Sequence, residues 1–300
     1  MPLDTVIFDI GHVIIMWHPE RAFEQVMPAG EVAAFMERIG FAEWNRRNDA
    51  RASIVPAEDE LVRQFPADEA GIRGYRTHFL HTIQESVPGT AAVIAELAQA
   101  GVNISALTNW SADMFGIARG RFGILSRFSD IVVSGEEGIV KPHPEIFRVA
   151  CRRLAIDPAR AVFVDDSPAN VVGAGQVGLT GVHFTSASQL RHELEELGLL
   201  GPREPIDEPV FHWALRADWD AAQAAGAYPW STRGIDYHRA GFVHCAFAEQ
   251  VPGVRADRFG DLPDSALVLL RVDVTPQTPV VVEQGYPHLF APLALDAAAP

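Results

Sequence analysis

The sequence predicts an α/β protein: a doubly wound, Rossmann-like parallel sheet with an all-helical insert, followed by a second, smaller α+β unit. Three observations carry this. The run VIF at 6–8 is apolar without a break, as in a strand buried on both faces of a parallel sheet. Strand and helix patterns alternate from about residue 90 to 184. The stretch GLLGPREPIDEP at 198–209 puts three prolines and two glycines into polar sequence that no helix continues.

Taken in order, the first strand runs into Asp9. From about 17 to 85 the segments ERAFEQV, EVAAFMERI, AEDELVRQF and EAGIRGYRTHFLHTI are all helical in pattern, so 16–87 is expected to be an all-helical insert. A helix over 90–100 closes at Gly101, and the strand VNISAL leads to Thr108. The strand DIVVS, a helix from Pro144 to Leu154, the strand AVFV into Asp165 and a short strand at 181–184 complete the first unit, 1–198. A linker is expected at 199–208, and 209–300 forms the second unit. There PVFHWAL, GFVHCAF, ALVLLRVDV and TPVVVE read as strands, with one helix over 217–225.

The net charge of −15, from 24 basic and 39 acidic residues, opposes binding to nucleic acid or an anionic membrane, and a small phosphorylated substrate would need a cation of its own. Asp4 interrupts the amino terminus and no apolar stretch approaches the roughly 18 residues of a membrane span, so a cytoplasmic chain is expected. Cys151 and Cys245 are the two cysteines, one in each unit, and are expected to stay reduced.

Four loops of the first unit carry unlike polar residues just past a strand or at a helix start: Asp9, then Thr108 with Asn109, then Lys141, then Asp165 with Asp166. Each has a bland reading. Adjacent aspartates often only cap a helix, a role Ser167 can share; a lysine is usually solvated surface; a threonine can simply begin a turn. Together they supply a carboxylate nucleophile, hydroxyl and amide donors for phosphate oxygens, an ammonium to offset developing charge and carboxylates for a hard cation, a set suited to phosphoryl transfer.

VIFDIGHVI, ALTNWS, GIVKPHPEIF and VFVDDSPANVVGA, in this order, resemble the four motifs of the haloacid-dehalogenase superfamily, especially its sugar-phosphatase-like members, over residues 1–198. The resemblance implies Asp9 as nucleophile forming an aspartyl-phosphate, Thr108 and Asn109 as phosphate binders, and Lys141 as charge partner. It also implies Mg²⁺ held by Asp9, the carbonyl of Gly11 and Asp166, with Asp165 close by, the helical insert at 16–87 as a cap over the site, and a substrate that is a sugar phosphate or nucleotide-derived. Many of these phosphatases carry a second aspartate where this chain has Gly11, which cannot deliver a proton. The glycine suggests a leaving group that needs little protonation, such as an anomeric sugar phosphate, with His12 as a candidate donor and substrate contact. The rival is a metal-independent 2-haloacid dehalogenase, against which the pair Asp165 and Asp166 speaks.

Two patterns read as decoys. GAGQVG at 173–178 matches G-x-G-x-x-G but lies within a helix, where small residues serve close packing. Trp17, His18, Phe41, Trp44 and Arg46 look like a recognition box, but most of these aromatics are expected in the cap core, with those facing Asp9 touching substrate.

In the second unit His212, His244 and His288 fall in separate strands or strand ends, with Trp219 and Tyr237 nearby, and lack the spacing of a zinc site. VFHWAL, ADWDAAQAAG, GFVHCAFAEQV and YPHLFAPL resemble a bacterial domain of unknown function grouped with the ADP-ribosyltransferase-like fold. The resemblance implies that His212, His244 and Gln250 line a pocket for NAD or an ADP-ribose compound, with His288 at its edge. Ala246, Phe290 and Ala291 depart from the pattern, which leaves transferase, non-catalytic binding module and purely structural unit as the readings.

Overall fold

The computed structural model describes residues 2–275, 277–296 and 298–299, so the outermost positions of the expected 1–198 and 209–300 units lie outside it. The chain divides into two compact units. The first comprises residues up to Val87, Val102–Arg121 and Leu125–Leu199; the second comprises Pro88–Gly101, Phe122–Ile124 and the chain from Leu200 on.

The first unit is built on strands β1 (Thr5–Phe8), β2 (Asn103–Thr108), β3 (Ile131–Val133), β4 (Ala161–Asp165) and β5 (Thr180–His183), in the spatial order β3-β2-β1-β4-β5. Every neighbouring pair is parallel. All four residues of β1 and all five of β4 are buried, which explains their unbroken apolar character: both faces of a parallel sheet are covered. On one face Ile7, Leu107, Val132 and Phe163 pack with Ile146, Phe147 and Ala174 from the helices Pro144–Arg153 and Pro168–Gly175. The strand order reverses direction beside β1, between β1 and β4, and such a switch point opens a crevice at the strand carboxyl ends.

Between β1 and β2 the chain forms the helices Glu20–Phe23, Ala29–Arg38, Phe41–Asn48, Val55–Gln64, Glu69–Thr77 and Phe79–Thr82. Their core is aromatic. Phe23 meets Phe35 and Phe41 at centroid distances of 5.2 Å each, and Tyr75 meets Phe41 at 5.0 Å. Of the suspected recognition box, Phe41 is core, Trp44 packs edge-on against Tyr75, Arg46 pairs with Glu43 at the surface and His18 pairs with Glu20.

The second unit holds β6 (Val210–Leu215), β7 (Trp230–Thr232), β8 (Ile235–Asp236), β9 (Val243–His244), β10 (Ala246–Phe247), β11 (Leu267–Val272), β12 (Val280–Glu283), β13 (Tyr286–Leu289) and β14 (Ala298–Ala299). They form sheets ordered β10-β6-β11-β14 and β12-β13-β9, with β7-β8 as a hairpin, and their pairings are antiparallel. GFVHCAF, which reads as one strand, is split at Cys245: His244 pairs with His288 in one sheet and Ala246 with Phe211 in the other. β13 holds His288, as its reading in a strand or strand end requires, with Pro287 as the one residue that cannot donate to a ladder. Helix Thr90–Gln99 belongs by its contacts to this unit, with Gln99 Nε2 donating to the carbonyl of Val282 at 2.6 Å. Residues 201–209 form no helix or strand. Among the described residues no helix is long and apolar enough to cross a membrane.

The glycine-rich run at 173–178 begins inside helix Pro168–Gly175, where a Cβ on Gly173 would lie 2.6 Å from the carbonyl oxygen of Pro142 and 3.0 Å from the Phe147 ring. Gly175 of the same helix faces open space. Gly173→Ala should therefore destabilise the chain by about 1–3 kcal/mol, the overpacking cost exceeding the helix-propensity gain, whereas Gly175→Ala should leave it equal or more stable. Thermal melts of the two variants check this.

Candidate active site

Strand register builds the centre. Phe8 pairs with Val164, and the Asp9 N–H donates to the Val164 carbonyl at 2.8 Å, so Asp9 and Asp165 leave adjacent strands at one level. Two carboxylates so placed need a cation between them. Lys141 supplies it: Nζ lies 2.8 Å from Asp9 Oδ1 and 2.7 Å from Asp165 Oδ2, and donates to the Leu107 carbonyl at 3.0 Å. Lys141 is itself held through its backbone, its N–H donating to Asn109 Oδ1 at 2.8 Å and its carbonyl accepting from Asn109 Nδ2 at 3.0 Å. Asn109 thus clasps the Lys141 loop while lining the cavity. Thr108 closes β2 and is buried.

Asp165 is fully enclosed. Its Oδ1 accepts from the Ser167 N–H at 2.8 Å and from Asn170 Nδ2 at 2.9 Å, and Oδ2 takes Lys141. Asp166, half-buried, faces the cavity instead. Each of Asp9, Asp165 and Asp166 offers an oxygen within 4.8 Å of the others. One lysine does not neutralise three acids. Burial pushes the Asp9 carboxyl up to about 7, opposed by Lys141 and reinforced by Asp165. Asp166 is raised by burial and by Asp165, with His12 and Lys141 opposing. Burial works against the Lys141 ammonium, yet Asp9 and Asp165 outweigh it and hold it above the usual lysine value.

The cap closes over this centre, leaving a cavity of about 160 Å³. Asp9, Gly11, His12, Asn109 and Asp166 form part of its wall; Trp17, Asn45, Asp49, Ile54 and Tyr75 of the cap form another. Trp17 is thus the suspected aromatic that reaches the site. His12 is exposed, with a left-handed φ of 56°.

Asp49 was not singled out by sequence reasoning. It follows helix Phe41–Asn48 among other polar residues, and no motif marks it. Its loop is stapled to the core: its carbonyl accepts from Ser134 Oγ at 2.5 Å, the carbonyls of Arg51 and Ala52 accept from the N–H groups of Ala112 and Asp113 at 3.1 and 3.0 Å, and the Ile54 N–H donates to Asp113 Oδ2 at 3.0 Å. Burial pushes the Asp49 carboxyl up to about 7, Asp9 adding to the rise and Lys141 opposing it.

In the second unit His212 is a core residue, contrary to the expectation that it lines a pocket. Both ring nitrogens are engaged: Nδ1 donates to the His244 carbonyl at 2.8 Å, so Nε2 accepts from the Tyr228 hydroxyl at 2.9 Å, and burial pushes its pKa down to about 4. His244 Nδ1 lies 2.8 Å from Ser231 Oγ, His288 Nδ1 pairs with Glu283 Oε2 at 3.0 Å, and Gln250 Nε2 donates to the Gly285 carbonyl at 2.8 Å. Trp219 and Tyr237 are in the core of this unit.

A doubly wound sheet with a buried carboxylate and lysine at its switch point, roofed by helices, defines a capped α/β enzyme. A family model described as haloacid dehalogenase-like hydrolase matches residues 3–178, more than half of the chain, and the chain belongs to that family. A second model, described as a protein of unknown function (DUF952), matches 213–299. The chain is 31% identical over 197 residues to the sesquiterpene phosphatase astK of Aspergillus oryzae, covering 64% of this chain and 95% of the relative. It is 27% identical over 144 residues to flavin mononucleotide hydrolase 1 of Arabidopsis thaliana, covering 47% of this chain but only 58% of that protein's length. A solved haloacid dehalogenase family enzyme of Bacteroides thetaiotaomicron aligns over 65% of this chain and 99% of its own, with 17% identity and a TM-score of 0.49.

The Asp49 carboxyl contributes stability that is full below about 3.8 and is lost as pH rises through about 7. In metal-free solution the melting temperature of Asp49→Asn relative to the parent should therefore climb between pH 4 and pH 8, by the equivalent of on the order of 2 kcal/mol. Parallel melts in EDTA across that range measure it, and a difference independent of pH contradicts the assigned environment.

Proposed function

We propose that the chain is a Mg²⁺-dependent phosphatase hydrolysing a small phosphorylated metabolite through an aspartyl-phosphate on Asp9. The observation that carries this reading is the gathering of Asp9, Asp165 and Asp166 within 4.8 Å around a single buried lysine. The donor set is all oxygen and its charge exceeds what Lys141 balances, which suits a hard divalent cation. Asp9, Asp166 and the carbonyl of Gly11 would hold it, with Asp165 positioned behind them by Lys141, Ser167 and Asn170. Bound there, Mg²⁺ would neutralise phosphate oxygens and let a dianionic ester approach an anionic carboxylate.

The protein's own groups perform the rest. Asp9 Oδ1 is engaged by the Ile10 N–H at 2.7 Å and by Lys141, which leaves Oδ2 to attack phosphorus. Lys141 opposes the effect of burial on the nucleophile and offsets charge on the phosphoryl oxygens. Thr108, Asn109 and His12 contribute donors at the phosphate side, Asn109 chiefly by fixing Lys141. Trp17, Ile54, Tyr75 and Met114 give the cavity apolar walls for the leaving group, and its volume of about 160 Å³ favours a small one such as a sugar. Relatives named as a sesquiterpene phosphatase and a flavin mononucleotide hydrolase support a phosphate ester as substrate.

For the second unit the proposal is a module for NAD or an ADP-ribose compound. Its support is the flat stack of Phe242 on His288, 4.0 Å between centroids and 16° between planes, beside His244 and Gln250. Calorimetry of the full chain with NAD⁺ and ADP-ribose should give saturable heat that is lost in Phe242→Ala; absence of heat with both ligands removes this part of the reading.

Phosphate release from a panel of phosphorylated metabolites should require Mg²⁺, stop in EDTA and fall by on the order of a thousandfold or more in Asp9→Asn. Chloride release from 2-haloacids in EDTA, without phosphatase activity, would instead establish the metal-independent dehalogenase.

A further inference from the structure

Breaking a P–O bond to an alkyl leaving group needs a proton for the departing oxygen, and cleaving the aspartyl-phosphate needs a group to take a proton from water. Gly11 supplies neither. Five titratable side chains line the cavity: Asp9, His12, Asp49, Tyr75 and Asp166. Asp9 is the proposed nucleophile and Asp166 a proposed cation ligand. The Tyr75 hydroxyl donates to Asn45 Oδ1 at 3.3 Å, and burial pushes its pKa well up, which disqualifies it as a base towards water at neutral pH. His12 lines the cavity from an exposed turn beyond β1, on the phosphate side. Asp49 is half-buried and lines the same cavity as Asp9, from the loop that follows helix Phe41–Asn48 of the cap.

On this geometry we propose that Asp49 is the general acid and base of the phosphatase reaction, delivered by the cap in place of the side chain that Gly11 lacks. The inference rests on the phosphatase reading above. As Asp9 Oδ2 bonds to phosphorus and the P–O bond to the leaving group breaks, the Asp49 carboxylic acid gives its proton to the departing oxygen and becomes a carboxylate. That carboxylate then takes a proton from the water whose oxygen attacks phosphorus. The bond between Asp9 and phosphorus breaks, inorganic phosphate leaves, and Asp49 is again protonated. The backbone staples from Ser134, Ala112 and Asp113 fix the Asp49–Ile54 loop on the core, so closure of the cap and placement of the acid are one event.

The test compares the Mg²⁺-loaded full chain with Asp49→Asn, Asp49→Glu and His12→Asn on an alkyl phosphate and on 2,4-dinitrophenyl phosphate, whose leaving group needs no proton. Asp49→Asn should lose about 10²–10⁴-fold in alkyl phosphate turnover. With the dinitrophenyl ester it should release one equivalent of phenol per chain in a burst, followed by slow turnover, because the aspartyl-phosphate forms but is not hydrolysed. Asp49→Glu should recover part of the alkyl activity. An equal loss on both esters without a burst, no loss at all, or a leaving-group-selective loss in His12→Asn instead would overturn the assignment while leaving the phosphatase intact. A parent chain inert towards both esters and the wider metabolite panel overturns the phosphatase reading, and this inference with it.

Discussion

The buried ammonium of Lys141, wedged between Asp9 and Asp165, is the contact on which the rest of the first unit depends. Parallel pairing of β1 with β4 forces two carboxylates to the same level at the sheet's switch point, where neither can be left unpaired at low cost. The lysine arrives from a third loop, and Asn109 from a fourth grips its backbone at both the N–H and the carbonyl. Four loops are thus tied by one ion pair and one amide clasp. Asp166 adds a third carboxylate to the centre, with an oxygen within 4.8 Å of those of Asp9 and Asp165.

The cap is more than a cover. Its core is aromatic, and the Asp49–Ile54 loop joins it to the starts of the helices after β2 and β3, its carbonyls accepting from the Ser134 hydroxyl and from the N–H groups of Ala112 and Asp113. Gly135 belongs to that joint, since a Cβ there would lie 2.5 Å from the Arg51 carbonyl oxygen. The second unit is stabilised by its own core, in which His212 is a bonded neutral ring between a carbonyl and a tyrosine hydroxyl.

Much of the fold was legible locally. The five strands of the first unit fall within a residue or two of their apolar runs, and the helical insert declared itself by successive segments of 3.6-residue pattern. The second unit was less legible because its strands are short and change sheets. Cys245 separates two pairings that sequence alternation joins, and the helix Val251–Phe259 carries a proline in its first turn that masks its periodicity.

By itself the sequence determined the chemistry-bearing strand ends, because a strand buried on both faces must be continuously apolar and the first polar residue after it must emerge at the crevice. Asp9 is placed at the cavity by that rule, while Thr108 and Asp165 end their strands at the same end of the sheet but stay buried. Only the tertiary structure decided which cap residues look into the crevice, since a short loop after an amphipathic helix carries no period that says where a single carboxylate points. Asp49 and Trp17 reach the cavity, and Phe41 does not line it, because of how the cap packs on the core.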